Sequence, residues 1–182
     1  MDIAQSEGIC LQPYLDSVGE WTIGVGHTRF DGIAPNPALM NKKDSISLQQ
    51  AISLFKKTII KYSDAVDKAI NVPITQPQFD ALVSFQYNTG AINKATLTKL
   101  INAKATTNLV MDSLMQWTKG TVNGKLVNIQ GLVNRRNAEK KLYTTGGYAN
   151  DGTAPVFPVN SKNKPIYSKS KKVDITQYFI GD

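Results

Sequence analysis

Cysteine and histidine are nearly absent from this sequence, which has 182 residues and one of each, Cys10 and His27. A lone cysteine excludes an intramolecular disulfide, and we expect Cys10 to act as a small buried hydrophobic residue. A single histidine excludes a histidine-rich zinc site and argues against a Ser-His-Asp triad. A phosphate-binding loop is missing too, because Gly24-Val25-Gly26 is followed by neither a third glycine nor Gly-Lys-Ser. The catalytic groups that remain as candidates are therefore carboxylates.

Long apolar runs are also lacking. No stretch approaches the roughly 18 consecutive apolar residues that are needed to span a bilayer. Residues 1–6 contain neither the basic segment nor the apolar segment of a secretory signal. We therefore expect no secretory signal in this sequence and no stable membrane insertion.

Basic residues outnumber acidic ones by 21 to 14, which gives a net charge of +7 at pH 7. Such a surface attracts polyanions, and nucleic acid, anionic membranes and bacterial cell wall all qualify. Because no Lys/Arg block is interleaved with aromatic residues, the sequence lacks the pattern of a nucleic-acid platform. The densest basic cluster, residues 169–172, is interpreted as a solvated stretch.

The first part of the chain predicts a short helix followed by a β-hairpin. The helix is expected to extend to about Gly8. Between Leu11 and Val25 the strand-forming residues flank a turn-forming segment, residues 16–19, so we predict two strands joined there. Residues 28–46 are expected to form a loop or a ragged third strand.

Two capping boxes predict where long helices begin. The first starts at Ser47, and apolar residues at alternating steps of four and three then continue to about Ile70. The second starts at Thr75 and opens a nearly apolar helix that ends at Gly90 and is predicted to be the central buried helix. Shorter helices are predicted near residues 96–103, 107–117 and 132–144. This order predicts an α+β fold in which the long helix joins a small β-containing lobe to a larger, all-helical lobe.

Two carboxylates stand out against this framework, Glu7 at the end of the first helix and Asp16 in the hairpin turn. Glycoside hydrolysis needs one carboxyl that protonates the leaving oxygen and a second that activates water or attacks directly. The two must face one cleft from different local structures, so that their pKa values can be pushed apart. Spacing alone is weak evidence, because most Glu–Asp pairs nine residues apart are surface charges.

The residues around these carboxylates, and two later motifs, resemble the phage-type lysozymes in order and spacing. The resemblance covers about residues 1–146. It is carried by Glu7-Gly8, Leu11, Tyr14, Asp16, Gly19 and Trp21-Thr22-Ile23-Gly24-Val25-Gly26-His27-Thr28, by residues 72–85 with Asn88 and Gly90, and by Trp117 and Gly131-Leu132-Val133-Asn134-Arg135-Arg136 with Glu139.

The resemblance implies roles for individual residues. Glu7 falls on the general acid, Asp16 on the carboxylate that activates water, and Thr22 on a hydroxyl residue that helps to hold that water. A hydroxyl suits this role because it can accept and donate at once. His27 is similar to a structural ion-pair partner. Arg135 is similar to a basic residue that approaches the acid, but it is equally consistent with an ordinary arginine in the first turn of a helix.

Tyr87 and Asn88 are expected to line the substrate cleft where the central helix ends, and the alternative for each is capping or packing. The resemblance also implies a lysozyme-like α+β fold and a muramidase that cleaves the β-1,4 bond between N-acetylmuramic acid and N-acetylglucosamine. The mechanism implied is inverting, with the two carboxyls about 6.5–9.5 Å apart. Neither a metal nor an organic cofactor is implied.

Peptidoglycan is the expected partner, and we expect a monomer that binds no nucleic acid. A lysis enzyme of this kind is expected in the host cytoplasm until its release to the cell wall. The competing hypothesis is a non-catalytic wall-binding or structural protein on the same scaffold, since fold does not imply function. The intact Glu7, Asp16 and Thr22 argue for the enzyme. A nucleic-acid binder, suggested by the charge, has no matching motif.

The sequence predicts a lysozyme domain over residues 1–146 and an extension over residues 147–182. The extension is too apolar for a solvated linker, so we expect its apolar residues to pack on the domain while its five lysines face outward and add wall affinity. The apolar residues are Val156, Phe157, Ile166, Tyr167, Ile175, Tyr178 and Phe179, and the lysines are 162, 164, 169, 171 and 172. Catalysis is expected not to need the extension.

Overall fold

The computed structural model describes residues 1–122 and 124–180. Within these ranges the chain forms six α-helices and three small antiparallel sheets, which confirms the α+β class. The chain divides into two compact units. Unit 1 comprises Met1–Ile60 together with the chain from Asn150 onward, and unit 2 comprises Lys61–Ala149.

Unit 1 begins with the predicted helix and hairpin. Helix α1 covers Asp2–Glu7, and strands β1 (Cys10–Leu15), β2 (Trp21–Gly24) and β3 (His27–Thr28) form an antiparallel sheet in chain order. The third strand has only two residues and leads into a 3-10 turn at Arg29–Asp31. Cys10 is buried and free, as predicted.

The C-terminal part of unit 1 contains strands β6 (Thr153–Val156) and β7 (Lys171–Asp174), which pair antiparallel. The cluster at residues 169–172 is exposed throughout, as predicted, and its last two residues belong to strand β7. Strand β7 was not predicted, because its residues are mostly exposed and its sequence therefore contains no apolar run. Tyr167 was expected to pack and is instead 67% exposed, whereas Ile175 is fully buried.

The long helix α2 (Leu48–Ala69) begins at the predicted capping box and ends one residue before the predicted end. The Ser47 amide donates to Gln50 Oε1 at 2.7 Å, and the Gln50 amide donates to Ser47 Oγ at 3.1 Å. These two bonds satisfy amides that would otherwise lack partners in the first turn. The helix contributes its first residues to unit 1, where Ala51, Ile52 and Phe55 are buried, and its last residues to unit 2.

Unit 2 contains the remaining helices. These are α3 (Gln76–Thr89), α4 (Thr96–Asn102), α5 (Thr107–Leu114) and α6 (Gln130–Thr145). Helix α3 starts at the second predicted capping box and ends at Gly90, whose φ of +63° closes the helix in the left-handed region. Its Phe85 is completely buried and meets Trp117 edge-on, with ring centroids 5.2 Å apart.

The prediction that this part of the chain is all-helical is wrong. Strands β4 (Lys119–Val122) and β5 (Lys125–Asn128) form an antiparallel hairpin in unit 2. Every residue of β5 is exposed. Because neither face of this strand is buried, its sequence lacks the alternation of apolar and polar residues by which strands are predicted. Helix α5 also ends three residues before the predicted boundary at residue 117.

Candidate active site

Glu7 is the last residue of α1, and the backbone turns sharply directly after it. Gly8 has φ +74° and ψ 176°, a conformation that is essentially restricted to glycine, and its amide donates to Ala4 O at 2.9 Å. The chain then enters the sheet through Ile9, which is fully buried. The Glu7 side chain is itself half-buried. The carboxyl is therefore carried by a backbone that is fixed on both sides.

Asp16 occupies the turn between β1 and β2, where the backbone holds its carboxylate. Oδ1 accepts from the Val18 amide at 2.9 Å and from the Glu20 amide at 2.8 Å. The Asp16 amide donates to Glu20 O at 3.0 Å, which closes the turn. Both amides donate to Oδ1. These two hydrogen bonds fix the orientation of the whole carboxylate, although Oδ2 accepts from neither amide. This is the geometry of an aspartate that caps its own turn.

Thr22 lies on β2 and is 2% exposed. Its hydroxyl donates to Glu20 O at 3.1 Å. With the proton used in this way, the lone pairs of Oγ1 remain for a donor such as water. In this geometry Thr22 can accept from a water molecule but does not donate to it.

The hydroxyl of Tyr14, on strand β1, has a pKa that responds to both carboxylates. Burial is the largest cause that raises the pKa of its hydroxyl above the ordinary value, and the negative charges of Glu7 and Asp16 both raise it further. Tyr14 is therefore neutral and lies within electrostatic range of both groups. The sequence reasoning treated it only as part of the motif. Its position two residues before Asp16 could have identified it, since alternate strand residues point to the same face.

Cys10 also raises the pKa of Tyr14, although its own thiol is not ionised at neutral pH. Burial raises the pKa of Cys10 to about 12. Because the thiolate is the reactive form, this cysteine is a packing residue of the sheet and not a nucleophile.

His27 is 1% exposed and holds the segment after β3 in place. Nε2 lies 3.0 Å from both Ile33 O and Pro35 O, so this nitrogen must carry a proton that it donates. Nδ1 lies 3.3 Å from Asp31 Oδ2 and 3.3 Å from the Thr58 hydroxyl of α2. Every partner belongs to the loop or to α2, which is the arrangement of a structural histidine.

The other three predicted site residues lie in unit 2. The Tyr87 ring packs against Tyr62 with centroids 4.7 Å apart. Asn88 Oδ1 accepts from Arg136 Nη2 at 3.1 Å. Arg135 Nε lies 3.4 Å from Glu139 Oε1, and its Nη2 donates to Ser84 O at 3.4 Å. The roles in substrate binding and beside the acid that the sequence suggested for these residues stay predictions.

Arg136 and Glu139, which the sequence analysis used only as motif residues, form the buried centre of this group. Arg136 is completely buried, and its Nε lies 2.8 Å from Glu139 Oε2. The Ser84 hydroxyl donates to Glu139 Oε1 at 2.8 Å. Burial lowers the pKa of the guanidinium and raises that of the carboxyl, while their mutual attraction opposes both shifts. This network ties α6 to α3.

Over residues 1–122 and 124–180, no group of three or more His, Cys, Asp or Glu side chains is arranged to hold a metal ion. Over the same residues, no helix combines the length and apolar character required to cross a bilayer. Glu7, Asp16, Tyr14 and Thr22 all lie in unit 1.

A short helix and a hairpin turn that each present a carboxylate, in an α+β chain with a long central helix, define a lysozyme-like protein. The family model described as phage lysozyme matches residues 4–139. The chain belongs to the phage lysozyme family.

Individual relatives agree with this assignment. The endolysin of Acyrthosiphon pisum secondary endosymbiont phage 1 is 34% identical over 143 residues, which are 78% of this chain and 91% of that protein. The endolysin of Bacillus phage B103 is 35% identical over 144 residues, but this chain covers 50% of its length. Among solved structures, the endolysin from Escherichia coli O157:H7 phage FAHEc1 has 37% identity and a TM-score of 0.72, covering 82% of this chain and 92% of that one. The chain is accordingly a glycosidase that hydrolyses peptidoglycan.

Proposed function

We propose that this chain is a muramidase that cleaves the β-1,4 bond between N-acetylmuramic acid and N-acetylglucosamine with inversion of configuration. Glu7 acts as the general acid, Asp16 as the base that activates water, and Thr22 as an acceptor for that water. The observation that carries the proposal is that helix α1 ends at Glu7, the β1–β2 turn holds the Asp16 carboxylate and strand β2 carries Thr22, all within the same compact unit.

The two carboxylates are held in ways that suit different roles. Asp16 is fixed through Oδ1 by two turn amides, so Oδ2 can keep one orientation towards a water molecule. A base must lie within about 2.6–3.2 Å of the proton that it removes, and a rigid turn favours such a geometry. Glu7 is half-buried at the end of α1, beside the sharp turn at Gly8, a position that suits a general acid which protonates the leaving oxygen. These features support the division of roles.

The first experiment is the substitution Glu7→Gln. Glutamine is nearly isosteric but cannot donate the proton, so we expect lysis of permeabilised bacteria to fall by the order of 10²–10⁴-fold. Glu20→Gln is the matched control, because Glu20 lies in the same unit, in the β1–β2 turn, and its side chain pairs with the exposed Arg29. We expect this control to keep activity. A folded Glu7→Gln variant with wild-type activity would contradict the assignment of the acid, and an inactive wild type would favour a non-catalytic wall-binding protein.

The second experiment tests inversion. If Asp16 activates water, the new reducing end first forms as the α-anomer, whereas direct attack by Asp16 retains the β-configuration. Proton NMR of a soluble glycan digest in its first minutes distinguishes the two anomers. We expect the α-signal to rise first, and early β-anomer would rule out the inverting mechanism.

A further inference from the structure

The segment of residues 153–164, which lies beyond the region matched by the family model, contacts both backbone stretches that carry the proposed catalytic carboxylates. Next to Glu7, the Ile9 amide donates to Pro155 O at 2.8 Å, and the Phe157 amide donates to Ile9 O at 2.8 Å. Ile9 and Val156 thereby form a parallel bridge. The chain that leaves Glu7 is thus paired with strand β6.

The Phe157 side chain strengthens this contact. Its ring lies against Gly8, so closely that a β-carbon at position 8 would overlap it. The ring also meets Tyr167 edge-on, with centroids 5.0 Å apart. The residue directly after Glu7 therefore has the extension packed over it.

A second set of bonds reaches the turn that contains Asp16. The Leu15 amide donates to Asn163 O at 2.8 Å. The Lys164 ammonium donates to Asp16 O at 2.9 Å and to Leu15 O at 3.3 Å. One side chain thus binds the carbonyl groups of two successive residues, one of which is Asp16 itself.

The loop that supplies these bonds is internally braced. Asn160 Oδ1 accepts from the Lys162 amide at 2.8 Å and from the Lys164 amide at 3.0 Å. The Asn160 amide donates to Lys164 O at 2.9 Å, and Asn163 adopts a positive φ of 56°. Hydrogen bonds to Asn160 therefore hold the backbone of Lys164, from which the side chain extends to the Asp16 turn.

We propose that residues 153–164 are a positioning element of the active site and that Lys164 is the positioning residue for Asp16. This inference rests on the proposed function of Glu7 and Asp16. Turns are the more mobile parts of a fold, and a catalytic group displaced by about 1 Å can lose about 10²-fold in rate. By binding the main chain of Asp16, Lys164 limits the movement of the turn. This proposal runs counter to the expectation from sequence that catalysis does not need the extension, and the experiment below decides between them.

The test is Lys164→Met, assayed on a short soluble glycan of alternating N-acetylglucosamine and N-acetylmuramic acid, so that attraction to the intact wall does not contribute. We expect kcat to fall by about tenfold, within the roughly 10²-fold range of a misplaced group, while KM changes less than twofold. Lys164→Arg keeps a cationic donor and should recover most of kcat. Lys43→Met, which removes an exposed lysine of the same unit, should leave both constants unchanged.

Asp16→Asn and the double variant Asp16→Asn/Lys164→Met separate the two hypotheses. If Asp16→Asn is inactive, Lys164→Met loses about tenfold in kcat and the double variant loses nothing beyond Asp16→Asn, both hypotheses hold. An inactive Asp16→Asn beside a Lys164→Met variant with wild-type kcat would overturn the positioning role alone. A rise in KM without a change in kcat would also overturn it, because it would make Lys164 a substrate contact. An active Asp16→Asn would overturn the proposed function.

Discussion

Gly8 shows how much a single position can determine in this protein. Its φ of +74° with ψ 176° is a conformation that residues with a β-carbon avoid, and the Phe157 ring occupies the space of that atom. Both constraints act directly beside Glu7. A substitution here should therefore disturb stability and the site together.

We expect Gly8→Ala to reduce the free energy of unfolding by about 2–6 kcal/mol, from backbone strain of about 1–3 kcal/mol and overpacking of a similar size. Urea unfolding measures this loss. Gly32→Ala is the control, because Gly32 has φ +70° but no atoms near its missing β-carbon, and we expect it to lose about 1 kcal/mol.

A Phe157→Ala background isolates the overpacking contribution of Gly8→Ala. In this background Gly8→Ala should lower the free energy of unfolding by the strain contribution alone, because the Phe157 ring is absent. An equal loss in both backgrounds would show that Phe157 does not constrain position 8.

Among the elements, the β6–β7 hairpin is linked to α1 through one carboxylate. Asp151 Oδ1 accepts from the Thr153 hydroxyl at 2.6 Å, from the Thr153 amide at 3.0 Å and from Gln5 Nε2 at 3.1 Å, while Lys172 lies 3.2 Å from Oδ2. The Thr153 hydroxyl, the Thr153 amide and Lys172, in that order, lower the pKa of Asp151 from its ordinary 3.8 to about 2. A carboxylate with a depressed pKa stabilises the fold above its unfolded pKa and loses this effect as pH falls through its folded pKa.

The expected result is a pH-dependent difference between the wild type and Asp151→Asn. Above about pH 4 the wild type should be the more stable, and the difference should shrink as pH falls towards 2, which urea midpoints at several pH values can measure. Thr153→Val removes the first of these donors, so the pKa of Asp151 should be depressed less, and the acid-induced loss of stability should be smaller and complete at a higher pH than in the wild type. A difference that stays constant from pH 5 to pH 2 would contradict the assigned pKa.

Elements with local signals were predictable from sequence, and elements with distant partners were not. The start of α2 at Ser47 is determined by residues within one turn, so its capping box could be recognised directly. Strand β5 has no buried face and was missed. Strand β6 pairs with Ile9 at the opposite end of the chain, and no pattern within its four residues identifies that partner.

The same distinction applies to the site. Glu7, Asp16 and Thr22 could be selected because they stand in one short motif, and the structure places all three in unit 1. Lys164 could not be selected, because it contacts Asp16 across 148 positions of sequence and its side chain looks like any exposed lysine. Geometry that depends on such long-range contacts is available only from the folded chain.

At the scale of the whole molecule, unit 1 is built from two stretches that the 89 residues of Lys61–Ala149 separate in sequence. A ribosome that adds about 5–20 residues per second needs about 4–18 seconds to make that intervening part. During this interval Glu7 and Asp16 already exist, but the partners of Ile9 and of the Asp16 turn have not been synthesised. From the proposed positioning role of residues 153–164 we expect full hydrolytic activity only late in translation, so that an interrupted polypeptide would be a poor enzyme even with every proposed catalytic residue present.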